Sequence, residues 1–364
     1  MRLLIGTDMF SRTGYAKSMR ELGLSLKNIG VDSVNVKAIP QGVIIDEKYG
    51  GLISEQVEAQ KGDSLLFRAY FEPTPKPIAG MNFIGFIALE STKLPERMVR
   101  ESNMDYVNQV WVPSEHCKRY AVESGIIEDK IRVIPHGYDP NIFKVKKQKK
   151  EAFDQSVTHG NPGSTQNGSL HGNYKFLFVG GYTGRGDRKG ADLLAQAFHE
   201  EFKPTEKVEL IFKINTAYGN FPAHDLAIDP RIKIDTNYYT DSDMAKIYSY
   251  GDCFVSPSWG EAFNMTVLEA MACGLPVITS VFGGQMDYLK DMDWKQRFII
   301  DGKRVPARYS PWDIGEWNKP NIQQLREGLR TMYREREPKK KYKGIERWTW
   351  NETAKKAKSC LEEL

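Results

Sequence analysis

Residues 257–280 read Pro257-Ser-Trp-Gly-Glu261-Ala-Phe-Asn264-Met-Thr-Val-Leu-Glu269-Ala-Met-Ala-Cys-Gly274-Leu-Pro276-Val-Ile-Thr-Ser280. The apolar run Cys253–Ser256 just ahead of them reads as a strand, and a loop carrying Glu261 follows. Asn264 stands where a side chain can cap a helix over about Met265–Cys273. Gly274 stops that helix by tolerating the left-handed conformation past the last turn, and Pro276–Thr279 begins another strand. Strand, helix and strand joined by short connections make a parallel pair with the helix packed on one face.

The same rhythm extends in both directions. Toward the N-terminus of this stretch, strands fit Lys175–Val179, Val208–Ile214 and Arg231–Ile234, with helices over Ala191–Phe202 and Asp243–Tyr250. An earlier series has strands at Arg2–Gly6, Val31–Ile39, Ser64–Phe67, Met81–Ala88, Tyr106–Val112 and Lys130–Ile134. Its helices are Tyr15–Ile29, with apolar positions Met19, Leu22, Leu24, Leu26 and Ile29, and Ser114–Glu123. Between the two series, Lys144–Asn173 is polar and ends in THGNPGSTQNGSLHGN, a linker or surface loop. The tail reads as helices Ile322–Tyr333 and Trp350–Leu364, without partner strands. The fold class is therefore α/β, with two Rossmann-like doubly wound parallel-sheet domains at residues 1–143 and 174–347 and a linker at 144–173. Their carboxyl-end loops face a common cleft, where open α/β sheets bind ligands.

Composition agrees and excludes several classes. The 364 residues exceed the roughly 250–300 over which one core keeps growing. Hydrophobic residues at 40% and a mean hydropathy of −0.50 exclude global disorder and leave no run of the ~18 apolar residues a membrane span needs. The N-terminus lacks a signal-peptide pattern. Four scattered cysteines without CxxC spacing fit a reducing cytoplasm. Net charge is +4, but residues 330–358 hold eleven Lys or Arg against four Glu, and Lys144–Lys150 form a second basic run. These are solvated faces, or they attract an anionic membrane or polyanionic acceptor.

Three loops carry candidate chemistry. Glu261 in its loop and Glu269 on the helix can each accept hydrogen bonds from polyol hydroxyls, while the amides of Phe263, Asn264 and Met265 open the positive helix end toward phosphate. Sugar, diphosphate and ribose in a row suit that geometry. A glycosidase pair does not, because its carboxyls must face each other across one bond. The second loop, Phe178-Val-Gly180-Gly181-Tyr-Thr-Gly-Arg185-Gly-Asp-Arg188-Lys189-Gly190, concentrates positive charge at a helix start, suited to a leaving diphosphate. It matches neither GxGxxG nor a P-loop. The third, around Gly14, can approach a phosphate or an acceptor from the other domain. Asp241-Ser-Asp243 is read as the cap of the following helix and Asp291-Met-Asp293 as a polar loop, so no catalytic metal is expected. His116, His136 and His199 are read as structural, His136 at the turn into the linker.

These elements resemble the retaining glycosyltransferases of family 4, of GT-B fold, also described as glycosyl transferases group 1. The resemblance rests on Gly180 with Arg188-Lys189-Gly190, Tyr250-Gly-Asp252 through Ser258, Glu261 through Glu269, Ala270 through Pro276, and Gly283-Gly284. In the first half it rests on Trp111-Val-Pro-Ser114, Ile134-Pro-His-Gly-Tyr-Asp139 and Phe86 through Pro95, and at the end on Trp348 through Ala354. It implies an acceptor-side first domain, a donor-binding second domain, and a terminal helix at about 348–364 that returns to the first. A nucleotide diphosphate sugar, UDP- or GDP-linked, would be the donor substrate, with no separate cofactor. Glu261 would bind sugar hydroxyls and Glu269 the ribose; Lys189 with Arg185 or Arg188 would hold the diphosphate. Gly14, Gly180, Gly181 and the stretch Ala262, Phe263, Asn264, Met265 and Thr266 would line the donor. The chain departs from the family pattern at Gly181, where Arg is usual, and at Glu90, where a His often stands near the reaction centre. Glu90 would bind hydroxyls or cap a helix at Leu94. The acceptor is a glycan, a lipid-linked sugar or a small molecule. Two alternatives are a polyanionic acceptor such as hydroxylated-base nucleic acid, and a sugar-nucleotide-binding protein without turnover.

Overall fold

The structure is a computed structural model that describes residues 1–37, 46–53, 57–68, 76–145, 172–184, 186–216, 223–290, 297–308 and 314–364. The first domain runs β1 (Arg2–Ile5), α1 (Gly14–Asn28), β2 (Asp32–Asn35), β3 (Ser64–Arg68), β4 (Asn82–Phe86), α2 (Glu96–Ser102), β5 (Val107–Val112), α3 (Glu115–Glu123) and β6 (Ile131–Val133). Its parallel sheet has the order β2-β1-β3-β4-β5-β6. Leu3, Leu4 and Ile5 are all buried, as expected of a strand covered on both faces.

The second domain runs β7 (Tyr174–Gly181), α4 (Ala191–Glu201), β8 (Val208–Asn215), β9 (Ile232–Asp235), α5 (Asp241–Tyr250), β10 (Cys253–Ser256), α6 (Met265–Ala272), β11 (Val277–Ser280), α7 (Met286–Leu289) and β12 (Arg297–Ile300). The sheet order is β12-β11-β10-β7-β8-β9, again parallel. Strand order reverses between β7 and β10, so the loops after these two strands, with Lys189 and Glu261, flank the point where such sheets bind ligands. In the first domain the reversal lies between β1 and β3, and the loop after β1 leads to Gly14.

Hydroxyl side chains start several of the helices. Thr13 caps α1, Ser114 caps α3, and Thr240, not the following Asp241-Ser-Asp243, caps α5. Both aspartates lie in the first turn of α5, where their charge complements the helix dipole. Asp291-Met-Asp293 lies outside the described residues, as do most of 144–173.

The tail corrects one expectation, since it does have strands. β12 completes the second sheet, and β13 (Gly302–Pro306) pairs antiparallel with β14 (Glu316–Pro320) before α8 (Ile322–Glu335) and α9 (Trp350–Glu362). The hairpin is polar, Gly- and Pro-bounded, and carries little apolar periodicity. It reaches the first domain, where the Thr92 amide donates to the Glu316 carbonyl at 3.2 Å. The local basic excess is also partly paired: Arg330 binds Glu201 and Glu206, and Lys355 binds Glu352.

Helix α9 returns to the first domain. Trp350, Ala354, Ala357 and Leu361 form one stripe and share a core cluster with Met19, Leu22 and Leu26 of α1. Just before it, the Tyr138 amide donates to the Trp348 carbonyl at 3.0 Å and the Trp350 amide to the Tyr138 carbonyl at 3.2 Å. A Cβ at Gly137 would overlap the Trp350 amide nitrogen, so only glycine lets the two segments lie this close.

His136 is structural, as its sequence context suggests. It is buried beside Phe86, Phe263 and Trp350, with ring centroids 5.9, 5.2 and 5.8 Å away, and burial pushes its pKa down to about 3. Below its ordinary value the unfolded chain takes up a proton that the native state excludes, so stability is full above about pH 6.5 and falls as the medium becomes more acid. At about pH 5 the loss from this group alone is about 2 kcal/mol. Comparing denaturant midpoints of the wild type and His136→Phe at pH 7.5 and 5 checks this: the variant should lose less on acidification, and an equal loss would remove His136 as a cause.

Candidate functional site

The loop after β7 and the loop after β10 converge on Glu261. Lys189 Nζ donates to Glu261 Oε1 at 2.6 Å, and Arg188 stands 3.4 Å from Oε2. Arg188 also donates to the Gly260 carbonyl and pairs with Glu90 Oε1 at 2.8 Å, across from the first domain. Gly190 has φ +71°, and a Cβ there would overlap the Pro257 carbonyl oxygen, so the β7 loop can press against the β10 loop only with glycine at this place. Gly180 and Gly181 end β7, and a Cβ at Gly180 would lie 3.8 Å from the Lys189 side chain.

Electrostatics follow from this crowding. Glu261 is buried, which works against its charge, but Lys189 and Arg188 outweigh burial and hold its carboxyl below the ordinary value. Glu90 goes the other way. Desolvation raises its carboxyl, with Glu261 adding to the rise, and Arg188 and Lys189 offset only part of it. Glu90 caps no helix, because α2 starts at Glu96 behind Pro95. Arg185 lies outside the described residues, so the structure places only Arg188 and Lys189 of the three cations.

The start of α6 differs from expectation in one respect. Asn264 occupies the cap position in a left-handed conformation, φ 67° and ψ 60°, but its side chain makes no capping bond. Its Nδ2 donates to Ser256 Oγ at 3.0 Å, and its Oδ1 accepts from Thr266 Oγ1 at 3.0 Å. The amides at the helix start are thus not covered by the cap side chain, while the strained residue is anchored to β10. Phe263 faces inward against Tyr288. The Ala262 carbonyl is spent on the other domain, accepting from Ser114 Oγ at 2.6 Å. Met265 faces Gly14, where a Cβ would sit 3.6 Å from Met265 Cε. The loop after β1 therefore does meet the start of α6.

Glu269 is buried in the middle of α6, with Oε2 accepting from Tyr248 at 2.9 Å. Its Oε1 is 2.6 Å from Lys17 Nζ of α1. Neither Lys17 nor Tyr248 carries a sequence signal of a site, and Asp241 reads there only as part of a helix start. A lysine in the first turn of an amphipathic helix looks like any solvated charge, and only the docking of α1 reveals its partner. No group of three His, Cys, Asp or Glu side chains among the described residues is arranged to hold a metal ion.

Residues 173–307 match the sequence profile of the family described as glycosyl transferases group 1. The match spans most of the second domain and less than half of the chain. Among its relatives it is 26% identical over 162 residues to mannosylfructose-phosphate synthase of Agrobacterium fabrum, covering 44% of this chain and 34% of the relative. It is 29% identical over 150 residues to spore coat protein SA of Bacillus subtilis, covering 39% and 38%. The chain thus matches little more than a third of the length of these relatives. The chain also shares its whole architecture with solved structures. A glycosyltransferase from Rickettsia africae superposes with a TM-score of 0.68 at 16% identity, covering 100% of this chain and 98% of the other. HepE of Anabaena, solved in complex with UDP-glucose, superposes with a TM-score of 0.68 at 14% identity over the full length of both chains. These likenesses place the chain in the GT-B fold. No helix among the described residues is long and apolar enough to cross a membrane.

Proposed function

We propose that the protein is a glycosyltransferase moving a sugar from a UDP- or GDP-linked donor to an acceptor hydroxyl, with retention of anomeric configuration and no metal ion. One observation carries the reading: Arg188 and Lys189 pair with Glu261 in the second domain, and Arg188 also with Glu90 of the first. A sugar diphosphate offers both complements of that cluster, phosphate oxygens for the cations and hydroxyl donors for the carboxylates. Glu269 then takes the ribose hydroxyls, and the amides at the start of α6 take phosphate oxygens.

In the transfer, the bond from the anomeric carbon to the phosphate oxygen breaks and its electron pair leaves on the diphosphate, where Lys189 and Arg188 stabilise the developing charge. The acceptor oxygen bonds to the anomeric carbon on the same face, and its proton passes to a phosphate oxygen. No protein base is needed.

A thermal-shift panel of nucleoside diphosphates and their sugars tests donor binding, since a ligand at 100 times its Kd adds about 2.7 kcal/mol of stability. A flat response to UDP, GDP and their sugars would end the proposal. Anomeric configuration of the product, read by NMR, tests retention. Glu261→Ala should raise donor KM by about tenfold and lower kcat, as loss of hydrogen bonds to a charged group implies. An unchanged donor KM would detach Glu261 from the sugar. A polyanionic acceptor would make transfer fall steeply with salt, and a neutral one would not.

A further inference from the structure

Helix α1 belongs to the first domain, yet Lys17 from its first turn reaches into the second. Its Nζ lies 2.6 Å from Glu269 Oε1 and 2.7 Å from Asp241 Oδ1, with the Phe143 ring 5.0 Å away. Two carboxylates of the second domain thus share one ammonium of the first. Lys48, also from the first domain, stands 4.0 Å from the other Asp241 oxygen while holding Glu21 at 3.0 Å. Removing a partner from such a buried cluster leaves an uncompensated charge that its surroundings disfavour.

On the proposed reading, Glu269 accepts hydrogen bonds from the ribose diol of the donor, and the role assigned to Lys17 rests on that reading. We infer that Lys17 is a positioning residue for the donor: from across the cleft it holds Glu269 ionised and oriented, so that ribose recognition by the second domain depends on docking of the first. Lys17 and Tyr248 each take one lone pair of a different Glu269 oxygen. A lone pair remains on each oxygen for a hydroxyl. Lys17 itself need not touch the nucleotide.

The groups facing Glu269 define what its charge depends on. They are Lys17 on α1, Asp241 and Tyr248 on α5, and Tyr288 on α7. Burial raises Tyr248 and Tyr288 well above the ordinary value, so both stay protonated. Burial also raises Glu269, aided by Asp241, and Lys17 opposes the rise. Without the Lys17 ammonium, Asp241 and Glu269 are adjacent like charges in a buried setting with only Lys48 beside Asp241, so the pair holds a shared proton to higher pH than in the wild type and releases it as the pH rises. A protonated carboxyl has fewer acceptor sites for the diol.

The test is titration calorimetry of the full chain with UDP, GDP and their 2′,3′-dideoxy counterparts at about pH 6 and about pH 9. The wild type should prefer the better-bound ribonucleotide over its dideoxy form by about tenfold at both values, the scale of a hydrogen bond to a charged group. Lys17→Met should lose that preference at about pH 6 and regain most of it by about pH 9. Should Lys17→Met not fold, Lys17→Gln keeps a donor at the site and should show the same trend at smaller amplitude. A Lys17 variant that keeps or strengthens the preference at the lower pH overturns the inference, because Lys17 would then compete with ribose instead of supporting its partner. If Glu269→Gln leaves the wild-type preference intact, the ribose reading itself falls and takes the inference with it.

Discussion

Lys189→Ala should lower kcat/KM for the donor by roughly two decades, corresponding to a loss on the order of 3 kcal/mol of transition-state stabilisation. Lys189 holds Glu261 at 2.6 Å, and in the proposed transfer it faces charge that grows on the diphosphate as the glycosidic bond breaks. An interaction stronger in the transition state than in the ground state shows mainly in kcat. The substitution also frees a buried carboxylate, which Arg188 at 3.4 Å neutralises less closely. Some loss of stability is expected alongside. Reading kcat, KM and the denaturant midpoint on the same preparation separates the two effects. Turnover at the wild-type rate in a folded variant would remove Lys189 from the mechanism.

Trp350→Ala should cost about 3–5 kcal/mol of stability, the range for deleting a large buried aromatic. The indole is 4% exposed, lies against His136, and opens the stripe by which α9 covers α1. Because α9 follows the second domain in sequence but packs on the first, the damage should fall on the first domain. Unfolding followed by two probes, one in each domain, should then separate into two transitions where the wild type shows closer coupling. A midpoint within about 0.5 kcal/mol of the wild type would mean that α9 contributes little to that core.

Much of this architecture is readable from the chain. Strands buried on both faces, such as Cys253–Ser256, announce themselves as short apolar runs, and Gly274-Leu-Pro276 marks the end of α6 by backbone chemistry alone. The hairpin β13–β14 escapes notice because it is half exposed and rich in charge, with Lys303, Arg304 and Lys319 interrupting any alternation. The site divides in the same way. Glu261, Lys189 and Arg188 sit on loops at the ends of recognisable strands, where chemistry is to be sought. Glu90 stands out as a departure from the family pattern, but Lys17 and Asp241 acquire meaning only from tertiary contact between domains, across a sequence separation of 224 residues. Asn264 shows a further limit. Its residue type announces a cap, but β10 claims its side chain through Ser256, and the start of α6 is left without a side-chain cap.

The adjacency of Tyr138 to Trp348 and Trp350 has a mechanical meaning. The chain passes between the domains twice, once after residue 139 and once before residue 350, and hydrogen bonds clamp the two passages together. One passage would behave as a swivel, free to turn in every direction. Two passages clamped side by side behave as a door hinge, which stiffens twisting and leaves opening about one axis as the soft motion of the molecule.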